Sequence, residues 1–95
     1  MGIFTGVAGF QWDDGNRDKN LTKHEVTNEE CEEVFDDVKK VVREDAEHSH
    51  VEARHYLIGK TKKGRILFIS FTARKDLVRV ISARDINKKE RKFYD

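Results

Sequence analysis

The chain has no proline in 95 residues and a single cysteine, Cys31. The lone thiol excludes an internal disulfide, and nothing resembling a proline-rich linker divides the chain into two parts. Internal repeats and low-complexity segments are absent as well. No apolar run reaches the length needed to cross a membrane, so no membrane partner is expected. The first nine residues, MGIFTGVAG, lack the basic start and the apolar stretch of a secretory signal, which makes the cytoplasm the expected location. His48, His50 and His55 are close in sequence, but no carboxylate or cysteine completes a recognised ligand spacing with them. Neither a metal nor a cofactor is expected.

What remains is small and very polar, with 37% hydrophobic and 39% charged residues. A chain of this size can bury one modest core, so residues 1–95 read as a single domain, with 1–9 as a variable or disordered extension. The formal charge of +1 conceals two opposed halves. Residues 1–53 hold 6 basic and 14 acidic side chains, a net −8, whereas residues 54–95 hold 13 and 4, a net +9. Such a split suits a basic surface for a polyanion and an acidic surface for a basic partner. Equally, the two halves can neutralise each other across the fold.

The apolar residues concentrate in the second half, where β-branched and aromatic runs alternate with short polar turns. His55 to Lys60, Arg65 to Thr72 and Leu77 to Ala83 read as three consecutive antiparallel strands, a β-meander. In the middle strand Leu67, Ile69 and Phe71 point one way and Ile66 and Phe68 the other, so both faces need a cover. Upstream, Phe10-Gln11-Trp12 reads as a short strand. Asp13 or Asp14 then caps a weakly amphipathic helix running to about His24. A second helix is better marked, because Thr27 and Glu30 form a capping box and Val26 faces Cys31 as a hydrophobic staple. Val38 to Arg43 alternates as a strand, and a basic terminal helix starts at Asn87. The resulting expectation is an α+β fold in which two N-terminal helices and a C-terminal helix surround an antiparallel meander.

Four arginines, Arg54, Arg65, Arg79 and Arg84, lie in or beside these strands, where a rigid sheet can aim them at phosphate. Glu52 and Arg54 are two apart on an extended segment, so their side chains leave the same face. The pair fits a base and a cation meeting one phosphate and its hydroxyl, or simply an exposed ion pair. An arginine at position 79, between Val78 and Val80, must find either a ligand phosphate or an internal carboxylate. Lys23 and His24 can act as acid and base or stabilise a helix end. Tyr94 can stack a base, donate a proton or anchor the last helix. Around it Lys88, Lys89 and Arg91 offer further cations for a substrate.

With these motifs laid out, the chain resembles the BrnT family, the toxin half of bacterial toxin-antitoxin pairs. The likeness runs through Trp12-Asp13, Asn20, Lys23-His24 and Val34-Phe35, then Glu52-x-Arg54, Gly59, Gly64-Arg65, Val80-Ile81-Ser82-Ala83-Arg84, Glu90-Arg91 and Tyr94. The resemblance implies a metal-independent ribonuclease with a RelE-like fold and its active site on the sheet. It also implies a BrnA-like antitoxin with a ribbon-helix-helix DNA-binding domain, through which alone the pair would touch DNA. The expected catalytic set is Glu52, Arg54, Arg79 and Arg84, assisted by Lys23, His24 or Tyr94, with Arg65, Lys88, Lys89 and Arg91 binding RNA. Attack by a 2′-oxygen would leave a 2′,3′-cyclic phosphate. The rival readings are a module that binds nucleic acid without cutting it and a protein-interaction module.

Overall fold

The computed structural model describes residues 9–13, 15–45, 47, 53–74 and 77–94. Its centre is formed by β3 (Arg54–Lys60), β4 (Ile66–Arg74) and β5 (Leu77–Asp85), paired antiparallel in chain order. The short strand β2 (Val41–Glu44) adds antiparallel to β3 at one edge. At the other edge β1, only Gly9–Phe10, runs parallel to β5. The sheet is therefore five-stranded and mixed, in the order β1-β5-β4-β3-β2.

Strand alternation sends Leu57, Leu67, Ile69, Phe71, Val78, Val80 and Ala83 to one face, where all are buried. Removing large side chains of this kind from water stabilises the fold by about 1.5–3 kcal/mol each. Against this face lies α2 (Asn28–Phe35), the best-defined helix. Thr27 accepts from the Glu30 amide while the Glu30 carboxylate accepts from the Thr27 amide, so two amides that the helix leaves unpaired are satisfied together. Val26, Cys31 and Val34 enter the core from this helix and its cap. Phe35 stands edge-on to both Phe10 and Phe71, with ring centres 5.1 Å apart in each pair. Burial pushes the Cys31 thiol up to about 12, so it is an inert core group at neutral pH.

A wholly antiparallel, RelE-like sheet under two full N-terminal helices is not what the chain builds. The parallel β1 makes the sheet mixed, and ahead of α2 the helical stretch shrinks to six residues, α1 (Lys19–His24). The cause lies in Asp13 and Asn16, whose side chains compete with helix formation. Asp13 accepts from the Gly15 amide at 2.9 Å and Asn16 accepts from the Asp13 amide at 2.8 Å, closing a tight turn. Asp18 then adopts a φ of 57°, which delays the helix to Lys19. The expected strand from Val38 also starts late, at Val41, and Val38 is 93% exposed in a turn.

On the outer face of the sheet Ile58 is fully buried, and Phe68 lies between Tyr56 and Arg84. The terminal helix α3 (Lys88–Tyr94) packs against β3. Glu90 ties it to Arg84, and Tyr94 ties it to Asp37. Among the described residues no helix is long and apolar enough to cross a membrane.

Gly59 sets how closely α2 approaches. A Cβ at that position would stand 2.9 Å from the Val34 carbonyl oxygen and 3.1 Å from Val34 Cβ. Both neighbours belong to the helix wall, so the helix itself must move. Gly59→Ala is expected to destabilise the protein by about 1–3 kcal/mol, the usual cost of overpacking, measured as a lower urea midpoint with an unchanged slope. An unchanged midpoint would mean that α2 is free to shift.

Candidate active site

One extra residue in β5 creates the site. Ser70 pairs with Ser82, but the next residue, Phe71, pairs with Val80, so Ile81 is left over as a bulge. The bulge switches the parity of the strand. Ala83 and Val80, three residues apart, both face the core, and Arg79 emerges on the outer face with Ser82 and Arg84. There it falls in register with Thr72 and, across β4, with Arg54.

This row of Arg54, Thr72 and Arg79 lines a cleft of about 220 Å³ together with Gly15, Asn16, Lys19, Val80 and Ile81. The turn before α1 forms one wall. Asn16, only 3% exposed, donates to the carbonyls of Gln11 and Val80 at 2.9 and 3.1 Å and thereby pins the turn to β5. Lys19 Nζ donates to the carbonyl of the bulged Ile81 at 3.0 Å. Gly15 lies close to Arg79, since a Cβ there would stand 2.8 Å from Nη2 and would push the guanidinium aside. Arg79 Nη1 donates to Asp13 Oδ2 at 2.5 Å. That hydrogen bond, aided by the Gly15 amide, holds the Asp13 carboxyl below the usual carboxylate range. On the floor Thr72 is 2% exposed and its hydroxyl has no hydrogen-bond partner among the described residues. A buried hydroxyl in that state is costly unless a ligand completes it. Two guanidinium groups, one ammonium and one hydroxyl around a cleft form a donor set for a phosphate.

The other expected residues lie elsewhere. Arg84 is five residues from Arg79 along β5, roughly 15 Å at strand rise, and it is bidentate to Glu90 at 2.9 and 2.6 Å. Arg65 joins three elements: it meets Asp85 at 2.7 Å and Glu30 at 3.3 Å, and it caps α1 through the carbonyls of His24 and Glu25. These bonds make it a structural junction. Lys23 and His24 are exposed at the end of α1 near that junction. Tyr94 donates to Asp37 at 2.5 Å and stands beside Lys60, at the opposite end of β3 from Arg54. Lys88, Lys89 and Arg91 are exposed on α3. The expectations for Glu52, His48 and His50 lie outside the described residues. His55 stacks on Phe71, and among the described residues no three His, Cys, Asp or Glu side chains form a group that could hold a metal.

Sequence reasoning missed Lys19, Asn16 and Thr72. The Asp13-x-Gly15-Asn16 pattern was an available turn signal, but nothing marked Thr72 apart from other strand threonines. The acidic helix is also less free than its sequence suggests. Glu30 is engaged by the cap and Arg65, Glu32 accepts from Trp12 Nε1 at 2.7 Å, and Glu33 accepts from the Lys62 amide at 3.0 Å.

Fold and cleft together describe a small mixed-sheet protein with a cationic, hydroxyl-floored cleft on its outer face. The family profile described as the ribonuclease toxin BrnT of type II toxin-antitoxin systems matches residues 12–90, and the chain belongs to that family. Membership implies an antitoxin partner and an RNA target. No curated protein matches the sequence.

The acidic side chains give the site and its supports a defined pH response. Burial alone would raise the Asp37 carboxyl, but the bonds it accepts from Tyr94 and from the Lys39 and Lys60 amides outweigh burial, and its pKa is lowered. Arg65 lowers Asp85 and Arg84 lowers Glu90 in the same sense. A depressed folded-state pKa contributes stability that is complete above the ordinary values of 3.8 and 4.5 and is lost as pH falls through the depressed ones. The urea midpoint should therefore be level near neutrality and drop below about pH 4. Asp37→Asn should lower the neutral plateau and flatten part of that drop. An unaltered acid limb in this variant would remove Asp37 from the account.

Proposed function

We propose that this chain is a metal-independent endoribonuclease that cleaves RNA by attack of a 2′-oxygen on the adjacent phosphorus. The observation that carries this reading is the cross-strand row of Arg54, Thr72 and Arg79 with its buried, unpartnered hydroxyl. In such a reaction negative charge gathers on the non-bridging oxygens of a five-coordinate phosphorus, and fixed donors that meet those oxygens lower the barrier. Arg54, Arg79 and Lys19 supply the cations and Thr72 a neutral donor. The base that takes the 2′-proton is assigned to Glu52 on sequence alone. Lys19 takes the place expected for Lys23 or His24, one helical turn nearer the start of α1, and its ammonium can protonate the leaving 5′-oxygen. The products are a 2′,3′-cyclic phosphate and a 5′-hydroxyl.

The antitoxin of this reading is a BrnA-like ribbon-helix-helix protein that covers the cleft, and the pair touches DNA only through it. Family membership supports an antitoxin, and the resemblance set out above supplies its class.

Purified protein should cut single-stranded RNA in excess chelator and leave cyclic-phosphate ends, seen by end-mapping. Loss of cutting in chelator with recovery on adding a divalent ion would sink metal independence. Arg54→Ala should reduce the rate by on the order of a hundredfold, as removal of one transition-state donor does, while the fold is retained. Thr72→Val, which keeps shape and removes the hydroxyl, should cost roughly tenfold. RNA methylated at the 2′-oxygen should bind and stay intact. Unmodified RNA left intact at saturated binding would favour a module that acts by occupancy.

A further inference from the structure

Beyond the phosphate row, the outer face carries a second row, Tyr56, Ser70 and Ser82, in register across β3, β4 and β5. All three are partly exposed. The next row contains Phe68 and Arg84. The Arg84 guanidinium stands 4.4 Å from the centre of the Phe68 ring, and Phe68 stacks on Tyr56 at 5.1 Å with 18° between their planes. Three flat groups thus run in series toward the Arg54 row, and the series ends on Tyr56. Phe68 fixes the plane of that ring from one side. Arg54 follows two residues away on the same side of the sheet, and among the described residues no second ring is stacked on Tyr56.

The surroundings decide what such a ring would take. A partner's apolar side chain would need an apolar border, but beyond Phe68 and the buried Ile58 the neighbours are Arg54 and Thr72 along one side, Ser70 and Ser82 along another, and Arg43 across from β2. A flat, polar-edged group flanked by negative charge matches that border better. Tyr56 is one row from the phosphate cleft, two residues or roughly 7 Å along a strand. This is comparable to the reach from a backbone phosphate to the base of an adjoining nucleotide in an extended strand. A duplex keeps its bases stacked and paired, so only an unpaired nucleotide can bridge the two rows.

We infer that Tyr56 is a nucleobase platform: single-stranded RNA with a phosphate in the Arg54, Thr72 and Arg79 cleft lays an adjoining base on the Tyr56 ring, with the Ser70 and Ser82 hydroxyls near its edge. The inference rests on the cleft being the RNA phosphate site. It adds a base contact that no phosphate contact supplies, and with it a physical reason for the substrate to be unpaired.

The test is fluorescence anisotropy with a labelled 2′-O-methyl oligoribonucleotide, which cannot be cut by 2′-attack, and with the same strand carrying single abasic positions. Tyr56→Ala should weaken binding about tenfold or more, the range for loss of one base-aromatic stack, with the salt slope unchanged. Tyr56→Phe should bind as wild type, which also controls for folding. One abasic position should reproduce the loss in wild type and add little in Tyr56→Ala. Unchanged affinity in Tyr56→Ala, or full additivity of the two losses at every abasic position, would overturn the platform. The cleft is judged separately by Arg54→Ala, which should lower the salt slope by about one. If that slope is unchanged while Tyr56→Ala still weakens binding, the cleft reading fails and a stacking site remains. Wild-type protein that does not bind the strand removes both.

Discussion

The cleft depends on the parity of one strand, and that parity is set by the bulge at Ile81. Without the extra residue, strict alternation from Ala83 would turn Val80 outward and bury Arg79 in the core. An unpaired guanidinium there would carry a desolvation penalty of several kcal/mol. With it, Val78, Val80 and Ala83 fill the core and Arg79 stands beside Arg54 at no cost to packing. The bulge also turns the Ile81 carbonyl to Lys19, so one irregularity recruits a third cation from the turn side. Packing and charge placement therefore have a common origin, and neither can change register alone.

The opposed charges of the two halves meet in part across the fold. Asp13, Glu30 and Asp37 from the acidic half reach Arg79, Arg65 and Tyr94 from the basic half, while Asp85 and Glu90 engage Arg65 and Arg84 locally. Most of these groups are partly exposed, where single ion pairs contribute about 0–1 kcal/mol. Their effect is chiefly geometric. Arg65 ties the end of α1, the first turn of α2 and the end of β5 to one side chain, and Arg84 fixes α3 against the sheet. Arginines that looked like a phosphate cluster in sequence divide into two that brace the fold and two that line the cleft.

How much of this was legible follows from range. The three central strands, the capping box at Thr27 and Glu30, and the outward and inward faces of Leu67 to Phe71 were readable because they rest on local alternation and hydrogen bonds three residues apart. The parallel pairing of β1 was not, since it joins Gly9 to Leu77 across most of the chain. The length of α1 was misread because Asp13 served equally well as a helix cap and as the head of a tight turn, and the contacts of Asn16 with Val80 decided in favour of the turn. In the site, Arg54 and Arg79 were expected together with Arg84, but their row through Thr72, apart from Arg84, was not legible, because register depends on a bulge that no residue type announces. Thr72 is set apart only by a hydroxyl buried with no partner among the described residues.

The Asp13 contact gives the cleft a further property. A carboxylate already occupies one arm of Arg79, and its depressed pKa means that it stays ionised at neutral pH. A phosphate entering the cleft therefore meets an anion that it must share with or displace from Arg79, and weak anions gain little by doing so. A bidentate phosphate that also completes the Thr72 hydroxyl and reaches Arg54 and Lys19 gains several donors for the one it contests. If the cleft takes phosphate as proposed, Asp13 is a built-in competitor that raises the threshold for occupancy, which favours a ligand able to touch all of the row over one that touches Arg79 alone. The same carboxylate keeps the guanidinium aimed while the cleft is empty, so little ordering of Arg79 remains to be done when a ligand arrives. Selectivity and preorganisation then come from a single hydrogen bond, one end of which lies in the turn that replaced the expected start of α1.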